Sequence, residues 1–332
     1  MRYCGLNLHA KSSTFCIVTA RGRLVSEGQV PSTRRGFRKL VDESSGKPLL
    51  IVLETSTRTE WAARTLESLG AEVLIVDARK VRLIAETKHK TDRTDARILA
   101  DLLRTDALPA GIWRADRQTR ELRELMQLRA GLVRQRTQLY GKARSLVAQE
   151  GVRLGARALC STAGWDRLER RRELRASQRR ILAVLRESAE SLTEAIEKIE
   201  QEFPNYLRRK DVQRLLEIPG VGPIVALTTV ARLGDLARFR NGRAAAGYTG
   251  LVPSERSSGG RQRKGPITRQ GPSDLRRVWI QAAQAALRMR RHPAQGWARS
   301  LIYRRGRSVT VVALARRMFR WAFAVLRDGK RF

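Results

Sequence analysis

The sequence predicts a mixed α/β domain over residues 1–108, then long helices over 109–208, then a mainly helical region over 209–332. Three observations carry that prediction. Short β-type runs crowd the first 31 residues, two nearly continuous apolar runs then alternate with helical patterns, and beyond residue 109 the apolar period becomes that of long amphipathic helices.

Taken in order, "RYCGLNLH", "STFCIVTA" and "LVSEGQV" are strand-like, and the turn residues "AKS" and "RGR" separate them as in an antiparallel meander. Ser32 and Thr33 open a helical stretch, "STRRGFRKLVDE". "PLLIVLET" reads as a central buried strand ending on Glu54. "RTEWAARTLESLG" has helical spacing with Gly70 as its stop, and "AEVLIVDA" is a second buried strand. "TDRTDARILADLLRTDAL" is a helix with Thr91 as its N-cap. The order β-β-β-α-β-α-β-α describes a mixed sheet covered by helices.

Next, Leu125, Leu132, Leu139 and Leu146 recur every seven residues beside a second column of Met126, Val133, Tyr140 and Val147. That is a long helix with a coiled-coil-like seam. A second long helix places Ile181, Leu185, Leu192, Ile196 and Ile199 at helical spacing and stops at Pro204. The pair forms either an antiparallel hairpin that spaces two domains or a dimerisation arm. In "LLEIPGVGPIVALTTVARLG", the turn Pro219-Gly220-Val221-Gly222 lies between two apolar helical stretches, the pattern of a helix-hairpin-helix. Its glycines, Gly220 and Gly222, would let backbone N–H groups approach a phosphate. A Gly-, Ser- and Arg-rich loop, "GLVPSERSSGGRQRKGPITRQG", precedes a helix from "PSDLRRVWIQAAQAALR" and a last helix ending at Asp328-Gly329.

The charge narrows the function classes. Among 332 residues, 67 Lys and Arg face 32 Asp and Glu, a formal charge of +35. An excess this large implies a polyanionic partner, most simply nucleic acid, whose counterions are released on binding. Aromatics are only 5% of the chain, so backbone and shape contacts are expected over stacking of single-stranded bases. Arg316, Arg317 and Arg320 interrupt the most apolar stretch, "TVVALARRMFRWAFAVL", so it cannot span a bilayer. No signal peptide is evident, and Cys4, Cys16 and Cys160 lack C-x-x-C spacing, which suits a reducing cytosol and argues against structural zinc. His9, His89 and His292 form no recognisable metal motif.

Two constellations bear chemistry. Glu54 ends a buried strand, where side chains project into a crevice, and Asp92 and Asp95 lie three apart at a helix start. Carboxylate clusters suit Mg2+ or Mn2+ and phosphoryl transfer, although Asp in a first helical turn also simply complements the helix dipole. The element order with acids on these elements is the RNase H-type plan, which calls for Asp in the middle of the first strand; here that residue is Asn7. The second constellation, "SERSSGGRQRKG", holds serine hydroxyls on a permissive backbone among cations. Such loops also serve simply to bind phosphate.

With "YCGLNLHAKSS", "LETS", "KTDRTDARILADLL", "IPGVGP" and "AAAGYTGLVPSERSSGGRQRKGPITRQGPSDLRR" in this order, nearly the whole chain resembles the DEDD-type insertion-sequence transposases of the "IS one-ten" family, relatives of the Piv DNA invertases. The resemblance implies a RuvC-like (RNase H-type) domain, a coiled-coil insertion and a carboxy-terminal transposase domain. It implies DNA transposition and recombination between donor and target DNA, guided by a structured non-coding RNA (a bridge RNA), with no membrane partner. A cytoplasmic, nucleoid-associated prokaryotic protein follows, assembled as a dimer or, in the synaptic complex, a tetramer. The metal-binding tetrad falls on Asn7, Glu54, Asp92 and Asp95, for Mg2+ or Mn2+. The catalytic serine falls on Ser258, with Ser257 as the alternative, and attacks a phosphodiester to form a phosphoserine intermediate. Arg261, Arg263 and Lys264 are candidate phosphate contacts on general grounds. Asn7 departs from the family's Asp: an amide has the shape of a carboxylate without its charge, so the ion site should be severely weakened. Two rival readings stay open, a non-catalytic nucleic-acid-binding protein and a junction-resolving nuclease.

Overall fold

The computed structural model describes residues 1–84, 91–155, 157–255 and 264–332, which fall into two compact units, Met1–Arg114 and Ala115–Phe332.

In the first unit, β1 (Arg2–Leu8), β2 (Ser12–Thr19) and β3 (Leu24–Pro31) form the expected antiparallel meander. Helix α1 (Arg34–Asp42) follows, started by Thr33, whose side chain accepts from the Gly36 N–H at 3.1 Å. Then come β4 (Leu49–Glu54), α2 (Thr59–Glu67), β5 (Glu72–Val76), α3 (Ala78–Ile84) and α4 (Asp92–Arg104). The sheet order is β3-β2-β1-β4-β5, with β4 parallel to both β1 and β5. This five-stranded mixed α/β plan is compatible with a DEDD, RuvC-like transposase domain.

The period-2 alternation of each strand sorts its side chains between two layers. Leu6, Phe15, Ile17, Ile51 and Leu53 pack with α1 and α2 around Phe37, Leu40 and Leu66. The opposite face, with Cys16, Val18, Val52 and Val76, is covered by Ala96, Leu99, Ala100 and Leu103 of α4. Helix α3 is an addition to the sequence reading. It has only seven residues and buries only Val81, too little to display a period, and it is started by Asp77, whose carboxylate accepts from Arg79 N–H at 2.9 Å. The unit runs past residue 108, because Ile112 N–H donates to Ile75 O at 2.7 Å and Arg114 pairs with Glu60 and Glu67.

In the second unit, α5 (Arg117–Ala148) and α7 (Ala176–Glu200) run antiparallel. Arg129 meets Glu200, Arg136 meets Thr193 and Glu150 meets Arg175 and Gln178, so the partner number falls as the first rises. Helix α6 (Thr162–Glu169) closes the far end, with Trp165 and Leu168 packed on Val147, Leu182 and Ala189. The expected seam needs one correction: Ile181 is exposed, and Leu182 takes the buried place beside it. There Leu182 shares one buried cluster with Trp165 and Leu168 of α6.

Short helices α8 (Phe203–Leu207) and α9 (Lys210–Leu216) lead to α10 (Pro223–Leu233), then a 3-10 turn (Leu236–Arg238) and α11 (Gly242–Tyr248). A two-stranded antiparallel ribbon, β6 (Pro253–Glu255) and β7 (Lys264–Ile267), comes next, then α12 (Ser273–Ala286) and α13 (Gln295–Asp328). The ribbon stands where the sequence reads as loop, since Pro253, Gly265 and Pro266 carry no β signal and only cross-strand pairing defines it. The core of these helices centres on Trp279, wholly buried, edge-on to Phe319 at 5.5 Å and donating from Nε1 to Thr229 Oγ1 at 3.0 Å.

Candidate functional site

The first candidate site begins with Gly5. Glycine here leaves β1 bare on the α4 side, and a Cβ at this position would lie 2.1 Å from Ala96 O and 2.5 Å from Ala100 N. The helix backbone therefore rests directly on the strand. Asn7 is two residues on, so it shares this face. Thr91 caps the helix, accepting from Thr94 N–H at 3.1 Å, which starts α4 at Asp92. These two local choices bring Asp92 to Asn7, whose Nδ2 donates to Asp92 Oδ1 at 3.3 Å.

The parallel register pairs Leu6 with Leu53, and the next residue along each strand is Asn7 and Glu54. Glu54 has the same parity as Val52, which faces α4, so it shares the face of Asn7 at the carboxyl end of the sheet. Asp95 stands in the first turn of α4, half-buried, its N–H donating to Thr91 O at 2.9 Å.

His9, which belongs to no metal motif in the sequence, joins this group. Its Nε2 lies 3.2 Å from Asp92 Oδ1. The available signal was its period-2 relation to Asn7. The turn that carries it is held from two sides: Ser32 Oγ donates to His9 O at 2.7 Å, and the Arg58 guanidinium donates to Ala10 O.

These groups as placed do not make a metal cage. Among the described residues, no three His, Cys, Asp or Glu side chains converge so as to hold an ion. A carboxylate only accepts, so Asn7 must turn its NH2 toward Asp92, and that N–H and His9 occupy the oxygen that a cation would share.

The remaining sequence candidates lie in the second unit. Ser257, Ser258, Arg261 and Arg263 lie outside the described residues; Lys264 opens β7, its backbone opposite Glu255 in the ribbon. Gly220 has φ 87°, and a Cβ there would meet Ala282 O at 3.2 Å and Met318 Cε at 3.2 Å. Its need for glycine is thus explained by the turn and by packing on α12 and α13. Gly222, at the N-cap of α10, has open space around its Cβ position. Behind this turn His292 is buried, its Nδ1 accepting from Ala294 N–H at 3.2 Å, and burial holds its pKa below the usual histidine value.

A five-stranded mixed sheet with Asn7 and Glu54 at its carboxyl edge, and Asp92 hydrogen-bonded to Asn7, fits the class of DEDD transposases. Comparison with known proteins agrees. The DEDD-type IS110 transposase model matches residues 4–150, and the model described as "Transposase IS116/IS110/IS902 family" matches residues 212–298. A probable family 20 transposase of Pseudomonas aeruginosa is 30% identical, over 84% of this chain and 84% of its own. The transposase for insertion sequence element IS1328 of Yersinia enterocolitica is 27% identical, over 86% of each. The transposase for insertion sequence element IS1111A of Coxiella burnetii is 28% identical, over 87% of this chain and 81% of its own. The chain belongs to the IS116/IS110/IS902 family of transposases, and DNA is accordingly its partner. No helix among the described residues is long and apolar enough to cross a membrane.

Proposed function

We propose that the chain is a guide-RNA-dependent DNA recombinase by descent whose metal site Asn7 has disabled. The observation that supports this is the hydrogen bond from Asn7 to Asp92 in the place where two carboxylates would share an ion. Two carboxylates so close repel each other and need a cation between them; an amide and a carboxylate satisfy each other without one.

In the active form of such an enzyme, Ser258, or Ser257, would attack a DNA phosphorus. The Oγ–P bond forms as a backbone P–O bond breaks, and the departing oxygen takes up a proton. Attack by a hydroxyl of the partner DNA then reverses the step and frees the serine, so phosphodiester bonds are conserved. Glu54, Asp92 and Asp95, with Asp restored at position 7, would hold Mg2+ or Mn2+, which supplies Lewis acidity toward the phosphate. Arg261, Arg263, Lys264 and the turn at Gly222 are assigned to phosphate contacts, and a dimer or tetramer to synapsis of donor and target.

Strand transfer on a donor–target pair with the element's own non-coding RNA tests the reading. Asn7→Asp should recombine and form a covalent protein–DNA adduct, the present chain neither, and Asn7→Asp with Ser258→Ala neither. If Ser258→Ala leaves the adduct intact while Ser257→Ala abolishes it, the nucleophile is Ser257. Should Asn7→Asp bind Mn2+ yet cleave without any serine dependence, the chain is a nuclease of the junction-resolving kind. Should it stay inert, the chain is a nucleic-acid-binding protein, the reading that the Asn7–Asp92 bond also favours.

A further inference from the structure

A cavity of about 580 Å³ lies within the second unit. Two tryptophans wall it, Trp297 and Trp321, and four arginines stand around it, Arg316, Arg317, Arg320 and Arg327. Among the described residues, no acidic side chain lines it. Arg327 pairs with Asp328 at 2.7 Å, but among the described residues Arg316, Arg317 and Arg320 meet no carboxylate. The Arg317 guanidinium lies over both rings, 4.9 Å from the centre of Trp297 and 5.5 Å from that of Trp321.

The cavity is built by a break in α13. In a straight helix Trp297 and Arg317, twenty positions apart, would be separated by about 30 Å at 1.5 Å per residue. Gly306 interrupts the helix with φ 79° and ψ 167°, a backbone state open essentially to glycine, and the chain folds back so that the two side chains touch. Arginines alone would be unremarkable on a chain of charge +35. What charge alone does not produce is two of the six tryptophans in one cationic cavity.

We propose that this cavity binds an unstacked nucleotide of a single-stranded segment, its base against Trp297 or Trp321 and its flanking phosphates on the arginines. The proposal rests on the nucleic-acid-binding reading above and adds the class of nucleic acid to it. Aromatic walls select a planar ring, and the uncompensated guanidiniums select negative charge; a nucleotide has both. A base inside a duplex hides its faces, so only an unpaired or extruded one presents them. A phosphate alone would draw on the arginines without contacting the tryptophan rings, which Arg317 now covers and a base would share, and a purely aromatic ligand would leave the arginines unneutralised. DNA opened during strand exchange and an unpaired loop of RNA share this chemistry.

Fluorescence anisotropy on the full chain separates the outcomes. The probes are an oligothymidylate of about 15 residues, an oligouridylate and a duplex of similar length, and a base-free deoxyribose-phosphate strand of equal charge. The chain should bind oligothymidylate ~10- to 100-fold more tightly than the base-free strand, the range that stacking on one or two aromatic rings supplies. Trp297→Leu should remove that preference while keeping the affinity for the base-free strand. Arg316→Gln with Arg320→Gln, the first half-buried and the second exposed, should weaken both strands and lower the salt slope by ~0.7 for each phosphate released. Gly306→Ala should act as Trp297→Leu does.

Equal affinity of the unaltered chain for oligothymidylate and the base-free strand overturns the proposal, and this comparison needs no variant to fold. Retention of the preference in a folded Trp297→Leu protein also overturns it. If the duplex binds while bases make no difference, the pocket proposal alone fails; if nothing binds, the nucleic-acid reading fails with it. Tighter binding of oligouridylate identifies RNA as the source of the nucleotide, and tighter binding of oligothymidylate identifies DNA.

Discussion

Gly5→Ala is the change that should do most damage per atom added. Its Cβ would lie 2.1 Å from Ala96 O, 2.5 Å from Ala100 N and 2.7 Å from Leu99 Cβ. Ordinary contact needs about 3.5 Å, so α4 must retreat by an ångström or more. None of the three atoms is the far end of a flexible side chain, and no rotamer change relieves the clash. Overpacking of a close-packed core costs ~1–3 kcal/mol, and a backbone clash of this depth belongs at or above the upper end. The retreat also carries Asp92 away from Asn7, whose 3.3 Å hydrogen bond has little length to spare. Gly131→Ala, in α5 with open space at its Cβ position, is the matched control and should stabilise by up to ~1 kcal/mol. Hydrogen-exchange mass spectrometry on the full chain reads α4 separately from the second unit. The expected result is protection lost throughout 92–104 in Gly5→Ala and unchanged there in Gly131→Ala. Protection in α4 within ~0.5 kcal/mol of the parent would refute the reasoning, since it would mean the helix does not rest on the strand.

Two further outcomes follow from buried charge. Asp274 and Arg232 pair at 2.9 Å through Nε with both side chains only 15% exposed, and Arg123 stands near enough for Arg232 to depress its pKa further after burial has done so. Asp274→Ala should cost ~3 kcal/mol, a fall of ~6–12 °C in the melting of the second unit, and a fall under ~2 °C would show the pair to be well solvated. His292 resists protonation in the fold, because burial lowers its pKa below 6.5. The unfolded chain therefore binds more protons there, so its contribution is complete above about pH 6.5 and declines as pH falls below that value. His292→Gln should flatten the loss of melting temperature between pH 7.5 and 5.5, and an unchanged slope would assign that loss elsewhere.

Much of the first unit was legible because its signals are local. Alternation marked the meander, continuous apolar runs marked β4 and β5, and Thr91 announced α4 by capping chemistry that needs only three residues. The excess of cationic residues likewise required no fold to imply a polyanion. What local pattern could not supply was any feature made by two distant segments meeting. The ribbon β6–β7 exists through cross-strand pairing alone, and Leu182 replaces Ile181 in the hairpin seam because the packing of α6 decides which residue faces inward.

The candidate sites divide in the same way. Sequence by itself determined which residue types are present: an amide in the middle of the first strand, three acids at strand and helix ends, a serine loop among arginines, and few aromatic residues. Tertiary structure decided what those residues touch. Gly5 lets α4 lie close enough for Asp92 to meet Asn7, 85 positions away, and the pinned turn after β1 adds His9. Gly306 folds α13 so that Trp297 and Trp321 close on Arg317, turning a low aromatic count into a concentrated aromatic site. The physical reason is common to both. Propensity, capping and charge act over a few residues, whereas contact between remote side chains depends on backbone close approach, which one glycine can permit and its neighbours in sequence do not reveal.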